Sequence, residues 1–145
     1  MRRFLLTLVF ILPILSLALT PVAAQAERIE VRISISRQVM NVYHEGRLIH
    51  TWAVSTAKKG YVTPKGSWKP QFLSKDHRSK RYNNAPMPWA IFYSGNYAIH
   101  GTDALKRLGK PASHGCVRLH PGNARILYRM VRAEGMVNTR ISVTQ

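Results

Sequence analysis

Cysteine is almost absent: Cys116 is the only one in 145 residues, so no disulfide can form within the chain and a packed core must hold it together. Acidic side chains are scarce as well, six Asp and Glu against 22 Lys and Arg, for a formal charge of +16. The zinc spacings CxxC and HExxH do not occur. His100, His114, Cys116 and His120 are potential donors, but His114 and Cys116 lie two positions apart and only Asp103 adds a nearby carboxylate, so neither a metal nor another cofactor is expected. There is no internal repeat and no low-complexity stretch. A long apolar run occurs once, at the start.

That run has the layout of a secretory signal. Arg2 and Arg3 precede Phe4 to Leu19, which is apolar apart from Thr7, Pro13 and Ser16, and small residues follow at Ala23, Ala24 and Ala26. The pattern predicts a signal peptide over residues 1–26, cleavage after Ala26, and a destination in the periplasm or cell envelope. The competing reading is a retained anchor, because the run approaches the roughly 20 residues that span a bilayer. Residues 27–145 then form one domain. They carry 20 basic and six acidic side chains, a formal +14. An exported protein meets anionic wall and membrane surfaces rather than nucleic acid, so no nucleic-acid partner is expected.

Period-two alternation marks the strands. Val31, Ile33 and Ile35 alternate with Arg32, Ser34 and Ser36, and two further stretches, Val39 to Tyr43 and Leu48 to Ser55, flank a turn at His44-Glu45-Gly46-Arg47. Three antiparallel strands therefore open the domain. A loop follows from Thr56, a strand is predicted over Ser67 to Leu73, and the polar stretch Ser74 to Pro88, with Lys75, Arg78, Lys80 and Arg81, is predicted as a lid or binding loop. Trp89 to Tyr93 and Tyr97 to Ile99 form a strand pair that leaves His100 at a strand end. A short helix capped by Thr102 or Asp103 runs to Leu108. The best helix spans Pro121 to Ala133, with Ala124, Leu127, Met130 and Val131 on one face and Arg125, Arg129 and Arg132 on the other; Gly135 ends it. A final strand alternates from Val137 to Val143. At strand spacing Trp52, Trp68, Tyr93 and Tyr97 read chiefly as core, and His44, His50 and His77 as ordinary strand or surface residues.

The chemistry gathers at Ser113-His114-Gly115-Cys116-Val117-Arg118. A free thiol near pKa 8.5 is only a few per cent thiolate at neutral pH, so a nucleophilic Cys116 needs a base, and His100 and His114 are at hand. Gly115 lets the backbone turn so that the Gly115 and Cys116 amides, with His114 as a further donor, face one point where an oxyanion would form.

These residues resemble the L,D-transpeptidase catalytic domain, whose signature is a histidine-glycine pair followed by S-x-G-C-x-R. The resemblance continues through Val54-Ser55-Thr56, Thr63-Pro64-Lys65-Gly66, Pro86-Met87-Pro88-Trp89 and Ala98-Ile99-His100-Gly101-Thr102. It implies a mainly β, sandwich-like fold with one or two short helices. It also implies an enzyme in which Cys116 attacks the third residue of a peptidoglycan tetrapeptide stem, D-alanine leaves, and an amine on a neighbouring stem resolves the thioester into a 3-3 cross-link. His100 is then the general base, oriented by the carbonyl of Gly101. Ser113 and His114 shape the site, Gly115 belongs to it, and Arg118 supports the loop or meets a substrate carboxylate. Trp89 and Tyr82 are the substrate-contact residues it points to, Thr63 and Ser94 weaker ones, and a carbapenem is the expected covalent inhibitor. Ala57 and Lys65 stand where the pattern commonly has glycine and threonine, which touches loop geometry and substrate preference.

Some relatives attach a lipoprotein or hydrolyse such bonds, so carboxypeptidase action and a lipoprotein acceptor remain open, as does a peptidoglycan-binding module without turnover.

Overall fold

The computed structural model describes residues 27–145; the expected signal peptide at 1–26 lies outside them. Two sheets face one another, with nine strands and one α-helix among the described residues. The first sheet holds β1 (Ile29–Ser34), β2 (Val39–His44), β3 (Arg47–Ala53), β4 (Gly66–Trp68) and β9 (Thr139–Thr144), in the order β3-β2-β1-β9-β4. The second holds β5 (Phe72–Ser79), β6 (Ala85–Ser94), β7 (Tyr97–Gly101) and β8 (Val117–Leu119), in the order β5-β6-β7-β8. The fold is mainly β, as the resemblance implied.

Alternation decides the packing. Ile29, Val31 and Ile33 of β1, Met40 and Val42 of β2, and Ile141 and Val143 of β9 point inward and are essentially inaccessible. They meet Ile91, Tyr93, Ile99, Val117 and Leu119 from the second sheet and Ala124, Leu127 and Val131 from α1 (Pro121–Glu134). Pro121 starts α1, where its missing N–H costs nothing, and His120 Nδ1 accepts the Gly122 N–H at 3.1 Å. No described helix is long and apolar enough to cross a membrane.

Four local expectations need correction. The strand placed over Ser67 to Leu73 is two strands in different sheets, because buried Pro70, which has no N–H to donate, lies between Trp68 and Phe72. Ser74 to Pro88 is not a loop but most of the β5–β6 hairpin, turned at Tyr82-Asn83-Asn84-Ala85. Asn83 and Asn84 have φ of 46° and 53°, and Ala85 N–H donates to the Tyr82 carbonyl at 2.9 Å, the geometry of a type I′ turn. The helix drawn to Leu108 shrinks to one 3-10 turn, Leu105–Arg107. The last strand starts at Thr139 rather than Val137, which lies in the 3-10 turn Met136–Asn138.

Candidate active site

β7 and β8 run parallel with Ile99 opposite Val117 and His100 opposite Arg118. Ile99 and Val117 enter the core, so the intervening positions Ala98, His100, Cys116 and Arg118 face the other way, where Cys116 joins a small apolar cluster of Met87, Ala90, Ala98 and Phe92. Beyond it lies an open cavity of about 970 Å³ lined by Cys116, His100, Ser113, His114 and Arg118, together with Tyr82, Lys80, Arg81 and Asp103. Sheet alternation alone brings the thiol and the imidazole to one wall.

His100 is buried, and its Nδ1 lies 2.7 Å from the Gly101 carbonyl. A carbonyl only accepts, so Nδ1 carries the proton and Nε2 keeps its lone pair. Burial holds the His100 pKa down at about 4, a shift that the Gly101 bond opposes and the nearby Arg118 assists. Burial acts the other way on Cys116 and raises its thiol pKa, while the Ala98 backbone and Arg118 pull it down. Both groups therefore rest neutral at pH 7. The thiol donates weakly to the Asn96 carbonyl at 3.9 Å, and no hydrogen bond joins it to His100.

The turn before Cys116 is stitched down from below. Lys58 N–H donates to the Ser113 carbonyl, Ala112 and Ser113 N–H both donate to Thr56, and Gln38 Oε1 accepts the Thr56 N–H at 2.8 Å. Thr63, 4% exposed, accepts from Ala57 N–H and donates to the Gly115 carbonyl at 2.8 Å. Gly115 sits at φ 133°, and a Cβ there would come 2.5 Å from Tyr97 Cε1 and 2.8 Å from the Val62 carbonyl oxygen, so only glycine fits. Ser113 is fully buried and its Oγ accepts the Gly115 N–H at 3.0 Å. This changes one expectation: the Gly115 amide is already occupied, whereas the Cys116 amide has no protein acceptor among the described residues.

His114 is not in the same position as His100. It is clasped between the Tyr82 ring, stacked at 4.5 Å, and the Tyr61 ring, edge-on at 4.6 Å, and its pKa is lowered by desolvation first, then by Lys58 and Arg118. Tyr82 lines the cavity. Trp89 does not. Between the Pro88–Asp76 and Ala90–Ser74 pairs of an unbroken register, Trp89 takes a φ of 58°, and its ring lies edge-on against Tyr128 of α1 at 5.5 Å. Arg118 has no carboxylate within ion-pair distance among the described residues. Ser94 lines the cavity, as do His77, Met87, Phe92, Asn96 and Asp103, which the sequence did not single out as site residues.

Two facing sheets with a thiol, an imidazole and a glycine turn on one cavity wall define a site suited to acyl transfer. A model of the YkuD L,D-transpeptidase catalytic domain matches residues 28–143, and the chain belongs to that family. A Bacillus licheniformis protein provisionally named L,D-transpeptidase YkuD is 25% identical over 114 residues, 79% of this chain and 64% of that protein. The chain thus spans less than two thirds of that relative's length. The L,D-transpeptidase of Stackebrandtia nassauensis superposes with a TM-score of 0.70 at 28% identity, covering 81% of this chain and 55% of that one. L,D-transpeptidase 3 of Mycobacterium tuberculosis, solved with a faropenem-derived adduct, shares the fold at a TM-score of 0.71 and 18% identity, over 81% and 60% of the respective chains.

Proposed function

We propose that this protein is an exported L,D-transpeptidase that acts on peptidoglycan tetrapeptide stems through a thioester on Cys116. The observation that carries the reading is the shared cavity wall: His100 faces it from β7 and Cys116 from the residue just before the adjacent parallel β8, with His100 held in the tautomer that leaves a basic nitrogen free. Family membership supplies the substrate class.

The chemistry follows from two neutral groups. As the Cys116 sulfur attacks the carbonyl of the third stem residue, its proton passes to His100 Nε2, and the developing oxyanion takes the Cys116 N–H. The C–N bond to the terminal D-alanine breaks, and His100 returns the proton to the leaving amine. Arg118, Lys80 and Arg81 offer cations to the carboxylates of the stem. A neighbouring stem amine then takes the acyl group and forms a 3-3 cross-link. A β-lactam that acylates Cys116 would imitate the first half, a reading supported by the faropenem-derived adduct of the M. tuberculosis relative.

The test is mass spectrometry of the protein incubated with a disaccharide tetrapeptide, beside Cys116→Ala. A dimer lacking one D-alanine, absent with the variant, is expected. Tripeptide alone would make it a carboxypeptidase. No product, together with no carbapenem adduct at Cys116, would leave a binding module.

A further inference from the structure

We infer that Asp103 binds the ammonium group of the acyl acceptor, so that the cavity delivers an amine rather than water to the thioester. The inference rests on Cys116 as acyl carrier and deepens that reading by assigning the acceptor's recognition.

The fates of the six carboxylates single out Asp103. Glu27 pairs with Arg140, Glu30 with Arg32, Glu45 with Arg28, and Glu134 with both Arg28 and His44. Asp76 and Asp103 have no such partner among the described residues, and of these two only Asp103 lines the cavity. In so basic a chain, an exposed carboxylate that lines the same cavity as Lys80, Arg81 and Arg118 and pairs with none of them leaves its charge available to a ligand.

The backbone presents it firmly. Asp103 follows His100 by three residues, where the chain leaves β7. Thr102 N–H donates to Leu119 at 2.9 Å, Thr102 Oγ1 accepts from Ala104 N–H at 3.2 Å, and Leu105 N–H donates to the Asp103 carbonyl at 2.8 Å. The side chain is left for solvent or ligand.

Charge then sorts the two substrates. The donor stem is anionic and suits the cations, which would repel an incoming ammonium. An alkyl amine with a pKa near roughly 10.4 arrives protonated at neutral pH, and Asp103 is the cavity's one negative charge. Held there, the ammonium loses one proton to solvent through the open mouth. The amine nitrogen attacks the thioester carbonyl, the C–N bond forms, the C–S bond breaks, and the surplus nitrogen proton passes through His100 to the Cys116 sulfur.

Asp103→Asn keeps size and removes charge, and at an exposed position it leaves the fold intact, as an unchanged melting temperature would show. With the full chain, a tetrapeptide donor and a titrated stem peptide bearing a free side-chain amine, KM for the acceptor is expected to rise roughly tenfold, the scale of one charge-assisted hydrogen bond. Product should shift from dimer to hydrolysed tripeptide, Cys116 acylation by a carbapenem should stay within about twofold, and Asp103→Glu should recover most of the dimer. An unchanged acceptor KM, an equal fall in acylation, or tripeptide alone from the unaltered protein at every amine concentration would overturn the inference. A protein that never acylates would sink the thioester reading itself, and that failure is visible before any acceptor is added.

Discussion

Burial pushes the two reacting groups toward neutrality from opposite sides, and this has consequences in solution. In the proposed mechanism acylation by a carbapenem needs neutral His100, so its rate should rise from about pH 4 and level off toward neutrality, as a stopped-flow pH series would show. Alkylation by iodoacetamide needs thiolate and should stay slow at pH 7, climbing only in alkali, because the thiol's pKa is raised. Two coincident profiles with a midpoint near 6 would mean a preformed ion pair and refute this account. His100 also links folding to pH. Its folded pKa, about 4, lies below its ordinary 6.5, so between those values the unfolded chain binds more protons. Its stabilising contribution is complete above pH 6.5 and is lost as pH falls toward 4; His100→Gln should flatten that slope in urea titrations. A different buried polar atom shows the reverse economy. Tyr93 Oη is buried with no hydrogen-bond partner, so Tyr93→Phe should be neutral or stabilising by about 1 kcal/mol, and a lower melting temperature would show that the hydroxyl has a role. Cys116 stood out in the sequence as the only thiol, whereas the choice of His100 over His114 came from the resemblance to the L,D-transpeptidase signature. Asn96, Phe92 and Asp103 were not legible, since nothing in local spacing says which strand ends share a wall.

Among the elements, the β5–β6 hairpin has the most to do with access to the cavity. Its tip brings Tyr82 onto His114, and the stacked pair joins the hairpin to the turn that carries Cys116. An aromatic pair of this kind contributes about 0.5–1.5 kcal/mol. Tyr82→Ala should therefore speed amide exchange across residues 80–84 and raise KM for a tetrapeptide several-fold, while a small β-lactam acylates Cys116 nearly as before. Unaltered exchange would show that the tip is held by something else. The hairpin escaped the pattern reading because β5 is an edge strand of Lys75, Asp76, His77 and Arg78, with little apolar alternation to detect, although Asn83-Asn84 is a turn signal of the right kind. β1, β2 and α1 were read correctly because each buries one face and so keeps a clean period, while β3, which buries no side chain fully, was found through the turn that precedes it. β8, three residues long, is too short to show any period.

At the scale of the whole molecule, alternation announces a half-buried strand but not its neighbour, so the sequence disclosed β9 and hid its place. β9 lies between β1, to which it is parallel, and β4, to which it is antiparallel. Deleting residues 139–145 should remove Ile141 and Val143 from the core and detach β4, leaving no cooperative thermal transition by calorimetry; a retained sharp transition would show that the remaining strands suffice. The placement of β9 also bears on biosynthesis. The ribosome makes first the strand that must wait for the one made last, so β1 to β3 emerge with a bare edge and stay open to chaperones or to stray pairing until residue 144 is out. The domain can close only after translation has passed its final strand, which makes the time between synthesis and closure, rather than the stability of the finished fold, the interval in which this chain is most exposed.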